Sequence, residues 1–526
     1  MICGVNKINK CIIHLYKALT KRYLEVNKMK QNNFIKNLLY SKRKSNKIAV
    51  IDDDVSYTYE QIYCEVVENI GLMNEIATSS NVGMFIDNSI DYVIGYFAIS
   101  FLNKTIVPFE TQIKKDRLCG VVQYCDTHMI ITNDKNYNFL LSCLKDGLDF
   151  DLVIYNINSK TMHKLLSRQS RIKKNEKNKL KECRNIAIML HTSGTTSAPK
   201  RVMLTYENLH ANVLAHIDSL KLTSDDRSLI SLPMYFGYCN TSQFLTHFYL
   251  GGSIVFFKDL FHPLKFIKFL NKYQCTNTTC IPSMLYLIAN KFEGTVQYIK
   301  SVRYICFGGG GTSSDILDKL LNIFPEVGFV HTYGQTEAGP RISCLLPEDF
   351  MRKRGSVGKP LKDIQIKVVD LVGKELPIEK VGEIVVKSEG VMEGYYKRLD
   401  ETRRVIRNGW LYTGDLGMVD SEGYIYIKGR KKNVIITGGK NIYPEHIEEV
   451  LKEYEFVREA IVVGEENALL GEVPVALVVL EPKSNIDSSE ILSFCKDKLE
   501  SDEIPFRIDI VDELEKTNTG KIRRIY

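Results

Sequence analysis

The chain has 526 residues, 44% of them apolar and 25% charged, with a formal charge of +7. That length exceeds what one hydrophobic core serves, and the apolar content excludes a disordered chain, so two or more domains are expected. No apolar run nears the roughly 20 residues that span a bilayer. The whole charge excess falls between Ser159 and Arg184, where ten Lys or Arg face two Glu without the interleaved aromatics of a nucleic-acid surface, so this reads as a solvated or mobile loop.

In chain order, residues 1–28 carry six Lys or Arg and one Glu. They read either as a real extension or as a start placed upstream of the true one at Met29. CIIHLYKAL (11–19) suits a short amphipathic helix at a membrane surface, and the lack of a long apolar core argues against a signal peptide. From Lys47 onward, short apolar strands alternate with helix-length segments, the pattern of α/β layers. HMIITN and DLVIYN are further strands. NIAIML (185–190) is a buried strand, RVML another, and Thr205 is the expected N-cap of a helix from Tyr206. SVRYICFGGGGTSSDILDKLL gives a strand to Phe307, four glycines (Gly308, Gly309, Gly310, Gly311) and a helix capped by Ser313 or Ser314. From Gly355 to Ile427 the texture is that of a β subdomain. Past Gly429 a small α+β pattern follows, with a boundary expected near Arg430 to Asn433. The thirteen cysteines are odd in number and lack metal spacing, so they read as small core residues in a reducing compartment, the cytoplasm.

Five stretches carry chemistry. HTSGTTSAPK (191–200) sets five hydroxyl side chains around one glycine ahead of Lys200. It is not the loop with lysine directly after the second glycine, yet hydroxyls, free N–H groups and a cation suit a polyphosphate. HTYGQTEAG (331–339) reads as a strand ending in an aromatic, a glycine turn, then Thr336 and Glu337. An aromatic face there suits a base, and the carboxylate suits a hard cation such as Mg²⁺. In GWLYTGDLG (409–417) Asp415 reads as a turn carboxylate that accepts from ribose hydroxyls, though turns use aspartate for local reasons as well. GRKKNVIITGGKNIYPEHIEE (429–449) and EKTNTGKIRR (515–524) complete the set.

Taken in this order, the five stretches resemble the signature motifs of the adenylate-forming superfamily, which includes acyl- and aryl-CoA synthetases, luciferases and peptide-synthetase adenylation domains. The resemblance runs from about residue 29 to the end. It implies an α/β fold with a large multi-layer N-terminal domain (29–431) containing a β subdomain, and a small α+β C-terminal lid (432–526). It also implies that a carboxylate attacks the α-phosphate of ATP to give acyl-AMP and pyrophosphate, and that coenzyme A then displaces AMP.

Carried over by position, Thr192, Ser193, Gly194, Thr195, Thr196 and Lys200 would hold the β- and γ-phosphates. Tyr333 would stack on adenine beside Gly308, Gly309 and Gly310. Thr336 would contact the α-phosphate, Glu337 would bind Mg²⁺, Asp415 and Arg430 would hold the ribose, Lys432 would be the hinge, and Lys521 would reach into the site for adenylation. Two positions depart from the pattern: Ser197 and Arg201 stand where the family has glycine, and Arg201 is expected to point to solvent. Phe236 matches the aromatic beside the acyl pocket. Gly237 follows it where amino-acid-activating relatives carry aspartate, and a buried ammonium without a partner is costly. A fatty or aryl acid is therefore expected rather than an α-amino acid. Transfer to a carrier-protein phosphopantetheine instead of coenzyme A stays open, as does a nucleotide-binding homologue without catalysis.

Overall fold

The short apolar runs form strands, and hydroxyl or carboxylate residues before the helical periods start the helices. The computed structural model describes residues 33–74, 79–145, 147–166, 185–192, 200–482, 484, 486–516 and 522–524. The expected helix at 11–19 and most of the basic stretch lie outside them. Within that stretch, Thr161–Leu165 forms an exposed edge strand rather than loop. Thr58, Thr205 and Asp487 each cap a helix in a reciprocal box with the residue three positions on, so two orphan donors are met at each start. Ser313 caps the helix Ser314–Ile323.

The fold is mixed α/β, with a large N-terminal domain and a smaller C-terminal one. Among the described residues a nine-stranded sheet and an eight-stranded sheet dominate the large domain. The first runs parallel through Ile48–Asp52, Ser253–Phe256, Arg227–Ile230, Asn277–Cys280, Tyr304–Gly308 and Gly328–Gln335. The second runs parallel through Ile186–His191, Thr105–Pro108, Asn81–Phe85, Thr127–Thr132 and Leu152–Asn156. One continuous core joins them. Helix Ile90–Phe101, buried nearly all round, sets Tyr96 edge-on to Phe244 at 5.1 Å, and Phe97 lies 5.2 Å from Phe248. A third sheet of short antiparallel strands covers Gln365–Val369 to Ile425–Arg430. A fourth begins at Ile435–Thr437 and has its own core of Ile435, Ile447, Val462, Val478 and Ile491. Between the third and fourth sheets lies the single turn Lys431–Asn433.

Buried imidazoles give the fold a pH dependence. His247 donates from Nδ1 to the Gln243 carbonyl at 2.6 Å and accepts at Nε2 from Asn277 at 3.1 Å, an arrangement that suits the neutral ring. Burial pushes His247 down to about 4 and His216 well below the ordinary imidazole range. Below pH ~6.5 the unfolded chain protonates both rings while the folded one does not, so stability rises with pH from about 4 to ~6.5. Glu448, raised by burial to about 7, acts in the opposite sense from its ordinary range up to that value, as does the raised Glu449, while burial also depresses His191 and His331, so four imidazoles stand against two carboxyls. The thermal midpoint is expected to be several degrees lower at pH 5 than at pH 7. An equal or higher midpoint at pH 5 would show that these rings take up protons without loss of the fold.

Candidate active site

Those of the singled-out residues that the structure describes converge where the two large sheets and the small domain meet, at the carboxyl ends of parallel strands, the usual place for a ligand in such sheets. The strand Ile186–His191 pairs with Arg201–Thr205, with His191 opposite Arg201, and the Thr192 N–H donates to the Lys200 carbonyl at 3.1 Å. The hydroxyl-rich loop is thereby closed at its base. Ser193, Gly194, Thr195, Thr196 and Ser197 lie outside the described residues. Lys200 Nζ rests 2.6 Å from Glu401 Oε2 and 4.7 Å above the Tyr395 ring. Arg201 corrects an expectation: it is 5% exposed, donates to the Pro108 carbonyl at 2.9 Å and lies 5.3 Å from the Phe109 ring centre. Backbone carbonyls and an aromatic face satisfy its charge, so it braces the strand from behind.

At the second constellation the strand Gly328–Gln335 runs on through Gly334, and the turn falls at Thr336 to Ala338, later than the sequence suggested. Glu337 Oε1 accepts from the Tyr395 hydroxyl at 2.8 Å, which fixes one oxygen and turns the carboxylate. Among the described residues no three His, Cys, Asp or Glu gather into a metal cage. A single carboxylate fits Mg²⁺, which keeps waters and takes further ligands from phosphates. Gly308 ends its strand opposite Thr332, where a Cβ would lie 2.3 Å from the Thr332 carbonyl oxygen, and Gly309 follows at φ 83°. Only glycine fits this close approach and left-handed turn. Gly310 and Gly311 continue it, and Glu449 of the small domain faces Gly311 with Oε1 3.1 Å from where a Cβ would stand.

Asp415 is not in a turn. It sits inside the strand Trp410–Val419, 4% exposed, directly opposite Arg430. Its Oδ1 meets Arg430 Nε at 2.6 Å, its Oδ2 accepts from the Tyr333 hydroxyl at 2.6 Å, and its N–H donates to Thr413 Oγ1 at 3.0 Å. Burial, then the Asp415 charge, holds the Tyr333 phenol well above its usual range, so it stays a donor. Lys432 occupies the turn Lys431–Asn433, where burial lowers its amine from the usual range. Lys521 lies outside the described residues. Phe236 precedes a short helix and lies 5.2 Å from the His191 ring, and a Cβ on Gly237 would contact Leu190 at 3.3 Å and Thr336 at 4.0 Å. Gly237, next to the aromatic expected beside the acyl pocket, thus adjoins the expected phosphate contact Thr336.

Sequence reading missed Tyr395 and Glu401, which orient Glu337 and Lys200, and Glu383, which accepts from the Gly414 N–H at 3.2 Å and from Lys431 Nζ at 2.8 Å. The adjoining tyrosines in EGYYK were the available signal. Lys200→Ala is expected to weaken ATP use by about 1.5–3 kcal/mol, the worth of a charge-assisted hydrogen bond. Unchanged apparent affinity for MgATP with unchanged turnover would remove this lysine from the phosphate site.

Comparison with known proteins covers most of the chain. Residues 40–396 match the model of the AMP-binding enzyme family, and 446–521 match that of the AMP-binding enzyme C-terminal domain. The chain is 30% identical over 499 residues to the 2-succinylbenzoate–CoA ligase of Bacillus cytotoxicus, covering 91% of this chain and 95% of that one. It is 31% identical over 475 residues to the enzyme of that name from a Bacillus cereus strain, covering 88% and 89%. Its structure superimposes on o-succinylbenzoate CoA synthetase from Bacillus subtilis in complex with the acyl-adenylate intermediate, with TM-score 0.80, 26% identity and coverage of 93% and 97%. ATP-bound MatB from Rhodopseudomonas palustris, at TM-score 0.81 and 23% identity with 94% and 97% covered, shares the fold.

Proposed function

Because this chain belongs to the AMP-binding enzyme family, we propose that it activates 2-succinylbenzoate, or a close aryl relative, with ATP and Mg²⁺ and passes the acyl group to coenzyme A. The observation that carries the reading is the relationship to 2-succinylbenzoate–CoA ligases over 91% of this chain, joined to a site in which Asp415 meets Arg430 and Tyr395 holds Glu337. In the first step an acid carboxylate oxygen attacks the α-phosphorus. The new P–O bond replaces the bond to pyrophosphate, which leaves. In the second a thiolate attacks the acyl carbon and AMP leaves.

The residues divide that work. Lys200 and the hydroxyl loop neutralise the leaving pyrophosphate. Thr336 positions the α-phosphate, and Glu337 holds Mg²⁺, whose charge offsets that of the phosphates. Asp415, Arg430 and Tyr333 hold the nucleoside. Lys521 bridges the attacking carboxylate and the α-phosphate, and Lys432 is the hinge on which residues 432–526 turn between the steps. Such positioning and charge stabilisation suit a weak nucleophile at a phosphoryl centre. The test is pyrophosphate release across a panel of aryl, fatty and α-amino acids, each with and without coenzyme A, and with a phosphopantetheinylated carrier protein as the alternative thiol. Highest turnover with an α-amino acid, or acyl transfer to the carrier protein but not to coenzyme A, would overturn the reading.

A further inference from the structure

The strand Gly339–Leu345 leaves the Thr336 to Ala338 turn and carries Arg341 into the interior, 3% exposed. Among the described residues this guanidinium has no carboxylate partner. Its one hydrogen bond runs from Nη1 to His216 Nδ1 at 2.8 Å, and its Nε meets no acceptor. His216 accepts that bond with an unprotonated nitrogen, so it adds no negative charge. Arg201, the other buried arginine described above, is satisfied by backbone carbonyls and an aromatic face; Arg341 is not. A buried cation without an anion is costly, and burial strengthens whatever ion pair completes it.

Its position says which anion. Arg341 lies close enough to Tyr238 to act on that hydroxyl, which bonds Thr332 Oγ1 at 2.6 Å, and Tyr238 directly follows Phe236 and Gly237. Gly237 adjoins Thr336, where the reacting carboxylate belongs. Along the strand, Arg341 stands two residues, roughly 7 Å, beyond Gly339, the residue paired with Gln335. An acid that enters at Thr336 and lies along Gly237 therefore extends towards the guanidinium. We propose that Arg341 anchors a second carboxylate at the far end of the acid, so that this enzyme selects dicarboxylic over monocarboxylic acids. The proposal rests on the acid–CoA ligase reading above and adds a specificity residue to it.

The experiment measures kcat/KM for pyrophosphate release with matched pairs in which the non-reacting carboxylate is replaced by methyl: 2-succinylbenzoate against whichever of 2-butanoylbenzoate and 4-(2-methylphenyl)-4-oxobutanoate retains the reacting carboxylate, and an aliphatic dicarboxylate against its monocarboxylate. The wild-type protein is expected to prefer the dicarboxylate of a pair by about 10- to 100-fold, the range of a charge-assisted hydrogen bond. Arg341→Met should abolish that preference while keeping the rate on the monocarboxylate. Arg341→Lys should retain part of it. No dicarboxylate preference in any pair with the wild-type protein overturns the proposal whether or not the variants fold, as does an equal loss on both members in Arg341→Met. Preference in the aliphatic pair alone keeps the role of Arg341 and defeats the 2-succinylbenzoate assignment instead.

Discussion

Lys521→Ala is expected to lower acyl-adenylate formation from acid and ATP by about a thousandfold, and to leave thioester formation from preformed acyl-adenylate nearly intact. A cation placed at developing charge in a closed site is worth several kcal/mol, and losing one such donor typically costs about 10²- to 10³-fold. TNTGKIRR has no apolar periodicity and would pass for a solvated tail. The residues after it are anchored, however. Ile522 bridges Lys516, and the Arg523 N–H donates to the Glu515 carbonyl at 2.7 Å. Arg524 Nη2 meets Glu448 at 2.8 Å and Glu445 at 3.2 Å on the helix Pro444–Leu451. Glu445 Oε1 also accepts from Asn433 Nδ2 at 2.7 Å, beside the proposed hinge, and Glu449 of the same helix faces Gly311 in the four-glycine turn. Lys521 thus directly precedes a segment tied to a helix that adjoins both the proposed hinge and the proposed site. A lid turned to another pose for the second step would withdraw it. Two assays decide. One supplies acid plus ATP, the other preformed acyl-adenylate plus coenzyme A. Near-wild-type rates in the first would end the catalytic role of Lys521, and loss in both would end the two-pose lid.

What the sequence made legible was local. Helix starts at Thr205 and Ser313 and the strands around Ile188 and Ile305 follow from rules that act within a few residues, and they stand where those rules put them. The site was legible in part because its motifs are short and ordered. Its second layer was not, because those contacts join distant segments: Tyr395 is 58 positions from Glu337, and Lys200 meets Glu401 across a still longer gap. Arg201 was misread because charge suggests solvent, whereas two carbonyls and a ring accept it indoors. Asp415 was misread because its flanking glycines suggest a turn. Gly414 does adopt φ 73°, but at irregular register within a continuous strand.

That strand position changes what Asp415→Ala should do. A turn carboxylate could be deleted without harm to the fold; a buried one, paired on both sides, cannot. Removing it leaves the Arg430 guanidinium and the Tyr333 hydroxyl without their shared acceptor, which costs about 1–3 kcal/mol for each buried polar group left unmet. The variant should therefore melt measurably lower even without nucleotide, and Tyr333→Phe should cost less in the Asp415→Ala background than in the wild type, because the hydroxyl has already lost its partner. The effect on ATP should be larger still. Each carboxylate oxygen accepts more than one hydrogen bond, so the proposed bonds to ribose hydroxyls are compatible with holding Arg430 and Tyr333. We expect kcat/KM for ATP to fall by about two orders of magnitude or more, through two lost charge-assisted bonds. Deoxy-ATP separates recognition from stability. The wild-type protein should use 2′- and 3′-deoxy-ATP less well than ATP, and Asp415→Ala should use all three about equally. Equal use of ATP and both deoxy analogues by the wild type would leave Asp415 as a brace for Arg430 and Tyr333 and remove it from the ribose.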